Sequence, residues 1–271
     1  MTSTVEPLSP IASARPRATL CDYVSLARPD HWSKHVFIVP GIVLAWLLHP
    51  VAPVGLVAPI LAGFAAACAA ASANYVINEW LDAATDRFHP KKKLRPAVHK
   101  RLAPGIVLAE YFGLAVLGVT LGTWVSPLFV LTLCAFLLSG VVYNVPPIRT
   151  KNRPYLDVTS EALNNPIRLT LGWAMVSPDT LPPSSLLLAY WMGGAFLMAI
   201  KRFAEYRTVA AEGALEGLKL YRRSFQWYTE ERLLISAFLY AQLAAFFLAI
   251  FLIKYRVEYL LSLPLFAALF A

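Results

Sequence analysis

Residues 74–96 read NYVINEWLDAATDRFHPKKKLRP and connect an apolar segment to a basic loop. If the apolar segment stays helical to its end, Asn74, Asn78, Asp82 and Asp86 recur at every fourth residue and share one face. Carboxylates on one stripe repel each other unless a cation lies between them. Amide and carboxylate oxygens with room for water and phosphate suit Mg²⁺. This stretch therefore predicts a cation-binding helix end in an otherwise apolar chain.

The rest of the chain is apolar enough for a membrane protein. Of its 271 residues, 58% are hydrophobic and 15% are charged, whereas soluble domains contain about 25% charged residues. This composition excludes disordered, collagen-like and disulfide-scaffold proteins and ordinary cytosolic enzymes. A membrane-spanning helix needs about 20 mostly apolar residues. Eight segments are candidates: 35–50, 55–77, 104–125, 127–145, 158–177, 183–200, 232–253 and 258–271.

The distribution of basic residues predicts the orientation of these helices. All Lys and Arg except Arg168, Lys254 and Arg256 precede the first span or lie in the loops after the second, fourth and sixth spans. The positive-inside rule places the N-terminus and these loops in the cytoplasm. Long charged loops on a single face also indicate a site there. We expect a flexible tail over residues 1–18, without a signal peptide, and one transmembrane domain over residues 19–271.

Three short motifs resemble the UbiA superfamily of intramembrane prenyltransferases. Residues 78–86, NEWLDAATD, are similar to its N-D-x-x-D-x-x-x-D motif, with Glu79 in place of the usual Asp. Residues 89–96, HPKKKLRP, resemble the H-P-x-K-x-x-R-P of the decaprenyl-phosphate phosphoribosyltransferase branch. Residues 28–34, RPDHWSK, resemble the R-P-x-x-W-x-K that opens the same branch. The resemblance implies an all-α integral membrane protein, a bundle of eight to nine transmembrane helices around a central cavity that opens to the cytoplasm.

The second acidic motif of the superfamily departs from the usual pattern. Where most members have D-x-x-x-D, residues 201–205 read KRFAE. The change agrees with the K-R-x-x-E of the phosphoribosyl-transferring branch. The following segment, 206–225, is expected to be a helix that covers the site.

The resemblance implies a transferase that needs Mg²⁺ as cofactor and moves phosphoribose from phosphoribosyl diphosphate to a polyprenyl phosphate. Catalytic roles are expected for Asp82, Asp86 and Glu205, and the metal ligands would be Asn78, Glu79, Asp82 and Asp86. Basic and tyrosine side chains are expected to bind substrate phosphates: Lys34, Lys91, Lys92, Arg95, Tyr143, Arg149, Lys151, Arg168, Lys201, Arg202, Arg222 and Tyr228. The lipid bilayer and an isoprenoid lipid are the expected partners, and nucleic acid is not.

Two segments near the fourth and fifth spans refine this expectation. Pro146 and Pro147 must end the fourth helix and leave a rigid basic loop. Arg168 lies inside the fifth span, where a charged residue is expensive and indicates a functional site. We expect Glu161, seven residues earlier on the same face, to be its partner, and Pro166 to kink the helix.

Two other classes of function remain open at this point. One is a UbiA prenyltransferase that joins an isoprenoid diphosphate to an aromatic or quinone-precursor acceptor, or a related terpene cyclase. The altered second acidic motif argues against this class. The other is a lipid transporter or scaffold without chemistry, for which the sequence shows no inverted repeats. Isoprenoid length and oligomeric state are not determined by these patterns.

Overall fold

The computed structural model describes residues 15–49, 53–89, 91–257 and 259, and these residues are helical with no strand among them. The α-helices are α1 (Leu20–Leu26), α2 (Val39–Leu48), α3 (Val57–Asp86), α4 (Pro96–His99), α5 (Pro104–Gly122), α6 (Pro127–Asn144), α7 (Leu156–Ala162), α8 (Asn164–Val176), α9 (Ser184–Ala211), α10 (Leu215–Tyr221) and α11 (Glu230–Tyr255). Short 3₁₀ helices lie at Pro29–Ile38, Pro53–Leu56, Lys92–Leu94, Thr150–Asn152 and Arg223–Gln226.

Six helical segments are long and apolar enough to cross a membrane: Leu20–Leu48, α3, α5, α6, α9 and α11. They coincide with six of the eight predicted spans and confirm the all-α membrane fold. The predicted fifth span instead falls on two shorter helices, α7 and α8, neither of which is among these six. The predicted eighth span, 258–271, lies outside the described residues except for Tyr259, as do residues 1–14 of the predicted tail.

Helices α3 and α9 are longer than a membrane crossing requires. They contain 30 and 28 residues, or roughly 45 and 42 Å at 1.5 Å per residue, against a hydrocarbon core of about 30 Å. Both helices are therefore long enough to extend beyond the hydrocarbon. Asp82 and Asp86 lie near the C-terminal end of α3, and Arg202 and Glu205 lie in the C-terminal part of α9.

The centre of the bundle forms around the alanine-rich half of α3. Ala66, Ala67 and Ala70 are fully buried against Phe129 and Leu133 of α6. Such small side chains let neighbouring helix backbones approach closely, which is the usual means of packing in membranes. Among the six membrane-span candidates, the most buried helix is thus the one whose end carries the predicted acidic stripe.

The predicted kink in the fifth span is present as a break between α7 and α8 at Leu163. Pro166 has no backbone N–H, and its ring clashes with the carbonyl four residues earlier. The prediction of one helix over 206–225 is wrong. There α9 ends at Ala211, and Gly213, at a φ of +67° that favours glycine, turns the chain into α10.

Helices α2 and α8 cross at two glycines. A Cβ at Gly172 would overlap the backbone carbonyl of Ile38, and a Cβ at Gly41 would overlap that of Leu169. We expect Gly172→Ala to lower the free energy of unfolding by about 1–3 kcal/mol, because neither backbone can move away without shifting a helix. Thermal unfolding in detergent measures the effect. Gly193→Ala on α9, where nothing lies within 4 Å, is the matched control, and equal midpoints for the two variants would contradict this account of the crossing.

Candidate active site

The predicted acidic stripe lies on the last turns of α3. Asp86 is completely buried, and Glu79 is 3% exposed. Arg95, which follows the 3₁₀ turn Lys92–Leu94, donates from Nη1 to Asp86 Oδ2 at 2.7 Å. Its Nε lies 3.7 Å from Glu79 Oε2. One guanidinium from the basic loop therefore bridges two carboxylates of the stripe.

Asp82, the middle carboxylate, contacts the loop after α6. Lys151 Nζ and Arg149 Nη2 both donate to Asp82 Oδ1, the latter at 2.9 Å. The loop follows Pro146 and Pro147, which end α6 at Asn144 as expected. Burial lowers the pKa of Lys151 to about 8, although the Asp82 carboxylate opposes this shift.

The amide part of the stripe is tied to α6. Asn78 Nδ2 donates to Asn144 Oδ1, which also accepts from Lys151 Nζ at 2.9 Å. Asn74 Nδ2 donates to the carbonyl of Phe136 at 3.0 Å. Asn78 is thus oriented through a buried asparagine that sequence reasoning did not select.

The stripe retains unused oxygen atoms that fit a divalent cation. Glu79 Oε1 and Asp86 Oδ1 are buried and lack a hydrogen-bond partner among the described residues, which is costly unless another group is bound. Within those residues no three His, Cys, Asp or Glu side chains converge into a closed metal site. Mg²⁺ is usually held by one or two carboxylates plus substrate phosphates. The stripe therefore fits a cation that shares its coordination with a phosphate.

A second charged cluster surrounds Arg202 at the end of α9. This guanidinium is 3% exposed and contacts three carboxylates: Asp157 at 3.4 Å, Glu161 at 2.9 Å and Glu205 at 3.4 Å. Residues 201–205 (KRFAE) therefore place the guanidinium of Arg202 among carboxylates from α7 and α9. Glu205, predicted with Asp82 and Asp86 as catalytic, lies in this second cluster.

Asp157 connects the second cluster to the loop after α10. Its carboxylate accepts from Ser224 at 3.0 Å and from Tyr228 at 2.5 Å, and it lies 3.7 Å from Arg222 Nη1. Burial opposes the charged form of Arg222, but Tyr143, Tyr221, Glu161 and Asp157 raise its pKa well above its usual range. Arg222 and Tyr228 are thus brought to the site as expected.

Tyr143 belongs to the same cluster. Its hydroxyl donates to Glu161 Oε2 at 2.8 Å and accepts from Arg222 at 3.3 Å. Glu161 is therefore shared between Tyr143 and Arg202. The prediction of an ion pair between Glu161 and Arg168 is wrong, because Glu161 forms its ion pair with Arg202 instead.

His89 and Lys92 join the two long loops of the site. His89 Nε2 lies 3.7 Å from Glu205 Oε1, and its ring stands edge-on to Tyr221 of α10. Lys92 Nζ donates to the Tyr221 hydroxyl. The side chain of Lys91 is exposed, and Pro90 of the same motif lies outside the described residues.

Arg168 lies on α8 and faces the ring of Phe136. Its guanidinium lies 5.3 Å from the centre of the Phe136 ring, and its Nε has no hydrogen-bond partner in the described part of the chain. The positive charges of Lys201, Arg28 and Arg168 act on Lys34, and so does the negative charge of Glu161. Among the described carboxylates, none forms an ion pair with Lys34, Arg168 or Lys201. These three residues are called the unpaired basic group below.

Sequence reasoning missed Asn144, Asp157 and Glu161 as members of the site. The sequence predicts Glu161 only as a partner for Arg168. Two of them are buried: Asp157 has no exposed surface, and Asn144 has 3%. A buried carboxylate in a basic environment indicates a partner, but the linear pattern does not say which one.

Comparison with known proteins adds to this geometry. Residues 36–271 match the UbiA prenyltransferase family. The decaprenyl-phosphate phosphoribosyltransferase of Mycolicibacterium smegmatis is 26% identical over 233 residues, which cover 80% of this chain and 66% of that protein. The nodulation protein NoeC of Azorhizobium caulinodans is 28% identical over 207 residues, covering 75% and 62% respectively. The chain thus spans about two thirds of the length of these relatives.

Solved structures share the same fold. A UbiA homolog from Archaeoglobus fulgidus bound to GPP and Mg²⁺ matches with a TM-score of 0.73 at 20% identity, over 92% of this chain and 84% of that one. The same homolog bound to DMAPP and Mg²⁺ gives an equal score. At this identity the likeness concerns the fold, an all-α membrane bundle. With the family match over most of its length, the chain belongs to the UbiA prenyltransferase family.

Proposed function

We propose that this protein transfers phosphoribose from phosphoribosyl diphosphate to a polyprenyl phosphate at the cytoplasmic face of a membrane. The unpaired basic group is the observation that carries the proposal. An enzyme with one anionic substrate needs one set of phosphate-binding cations, and the loops at the acidic stripe already supply it. The unpaired basic group is a second set, which fits a second anionic substrate. The name of the relative in Mycolicibacterium smegmatis supports the same reaction.

The acidic stripe with its basic loops is the proposed donor site. Glu79, Asp82 and Asp86 would hold Mg²⁺, which supplies charge neutralisation for the diphosphate leaving group. Lys91, Lys92 and Arg95 are close enough in the chain to bind the remaining phosphate oxygens. Arg149 and Lys151 now neutralise Asp82, and a bound diphosphate would compete for them.

The unpaired basic group is the proposed acceptor site. Arg168 lies seven residues beyond Glu161 along α7 and α8, or roughly 10 Å deeper at 1.5 Å per residue. A phosphate held there has its isoprenoid chain at membrane depth from the start. Neutral polar groups would not repay the desolvation of a lipid phosphate, whereas a guanidinium forms strong charge-assisted hydrogen bonds with it.

The reaction follows from bringing these two anions together. A lipid phosphate oxygen forms a bond to C1 of the ribose 5-phosphate, the bond from C1 to the diphosphate oxygen breaks, and diphosphate leaves with the electron pair. The attacking phosphate is already an anion, so a general base is not required. Positioning and charge stabilisation supply most of the rate.

The acceptor site gives a selective prediction. We expect Arg168→Gln to raise the KM for polyprenyl phosphate at least tenfold, while the KM for phosphoribosyl diphosphate changes less than twofold. Steady-state assays with each substrate varied in turn measure the two KM values. Lys254→Gln, an exposed cation on α11, is the charge-matched control. If Arg168→Gln instead raises only the KM for phosphoribosyl diphosphate, Arg168 belongs to the donor site and the proposed assignment of the acceptor site is wrong. Lys34→Gln provides a second test if Arg168→Gln does not fold.

A further inference from the structure

A pocket of about 430 Å³ lies beside α3, away from the acidic stripe. Trp80 and Ala83 line it, and Asp82 points to the other side because two residues turn a helix by about 200°. The opposite wall is formed by Ala97 of α4 and by Lys100 and Arg101, which follow it. Neither the donor site nor the acceptor site described above uses this pocket.

Three cations line the pocket: Arg15, Lys100 and Arg101. None of them forms an ion pair with a carboxylate in the part of the chain that the structure describes. Asp22, whose charge acts on Lys100, is bound to Thr19 instead. Like charges around one concave surface repel each other until an anion lies between them. The pocket therefore has the electrostatics of an anion site.

The walls of the pocket are held by backbone hydrogen bonds. Arg101 N donates to the Pro16 carbonyl at 2.9 Å, and Ala18 N donates to the Arg101 carbonyl at 3.3 Å. These bonds fix the segment that carries Arg15 beside Lys100 and Arg101. The cations are thus presented by a defined backbone, unlike lysines scattered over a surface.

The floor of the pocket is apolar. Trp80 and Ala83 pack against a buried cluster that includes Tyr23, Leu26 and Ala97. The pocket lies where the membrane-span candidate α3 approaches its end and the candidate α5 begins at Pro104, and we place the bilayer interface at this level. Tryptophan is enriched at that level, and basic pockets there bind phosphate-bearing head groups. A ligand with an anionic head and an apolar body matches both surfaces.

We propose that this pocket binds the head group of an anionic phospholipid, with its phosphate between Arg15, Lys100 and Arg101 and its glycerol region against Trp80. The volume is within the range of about 300–1,000 Å³ typical of small-molecule sites. The pocket does not depend on the transfer reaction proposed above, so each proposal can fail without the other.

Native mass spectrometry of the purified full-length chain in detergent tests the proposal, with phosphatidylglycerol and phosphatidylcholine as probes. We expect one phosphatidylglycerol to bind at least tenfold more tightly than phosphatidylcholine. The variant R15Q/K100Q/R101Q should bind both lipids equally. The control R207Q/R223Q/K254Q, which removes the same charge at exposed positions elsewhere, should retain the preference.

Two results would overturn the proposal. One is an unchanged preference for phosphatidylglycerol in R15Q/K100Q/R101Q; R15Q/K100Q, which retains Arg101, gives the same test if the triple variant does not fold. The other is displacement of phosphatidylglycerol by millimolar inorganic phosphate or diphosphate, which would show that the pocket takes a soluble anion rather than a lipid.

Discussion

Replacing Asp82 by Asn is expected to reduce transfer activity at least hundredfold, the scale observed when one electrostatic contact to a transition state is lost. Asp82 is the carboxylate of the stripe that contacts both Arg149 and Lys151. Asparagine has nearly the same shape as aspartate but lacks the negative charge. A cation shared between this position and a diphosphate would be bound more weakly, and the leaving group would be less neutralised.

A second variant separates this role from simple stabilisation. Asp82→Asn leaves the buried ammonium of Lys151 without its counter-ion, which lowers stability. In D82N/K151M both partners become neutral, so the thermal midpoint should recover, while activity should stay well below that of Lys151→Met, which lacks the same ammonium but retains Asp82. The matched control is Asp179→Asn, an exposed carboxylate in the loop between α8 and α9. Equal activity of D82N/K151M and Lys151→Met at equal stability would mean that Asp82 only supports the fold.

Replacing Arg202 by Met is expected to cause the largest loss of stability. Arg202 is the common partner of Asp157, Glu161 and Glu205. Removing one partner of a buried ion pair typically costs about 3–5 kcal/mol, because the other charges remain buried without compensation. Since Tyr143 and Tyr228 are held by the same acids, activity should fall at least hundredfold as well.

The same helix offers the control for this variant. Arg207 pairs with Glu230 at 3.1 Å, and both side chains are exposed. An exposed pair contributes about 0–1 kcal/mol, so Arg207→Met should leave the unfolding midpoint almost unchanged. Thermal unfolding and activity in the same detergent compare the two variants. If Arg202→Met and Arg207→Met have the same unfolding midpoint, the carboxylates around Arg202 do not need its positive charge for the stability of the fold.

The sequence predicted those parts of the site that depend on local geometry. Asp82 and Asp86 share a face because α3 remains helical to Asp86, as their four-residue spacing requires. The end of α6 before Pro146 and the break before Pro166 also follow from covalent constraints on proline. In each case the deciding interaction lies within a few residues along the chain.

The partners across the bundle were not predictable in the same way. Glu161 has the spacing for Arg168, but folding brings the guanidinium of Arg202 within 2.9 Å. The bridge from Asn78 through Asn144 to Lys151 joins residues more than 60 positions apart. Helical periodicity gives the face of each helix, whereas helix packing decides which faces meet. Burial of a polar residue indicated that a partner existed without identifying it.

The central claim is transfer of phosphoribose to a lipid phosphate, and one measurement tests it most directly. The purified chain in detergent would be incubated with Mg²⁺, polyprenyl phosphate and phosphoribosyl diphosphate labelled in the ribose, and organic extracts would be analysed for label. The account predicts a labelled, acid-labile lipid with the wild-type protein and none with Asp82→Asn. Absence of labelled lipid, together with transfer of a prenyl group from a prenyl diphosphate to an aromatic acid by the same preparation, would contradict it.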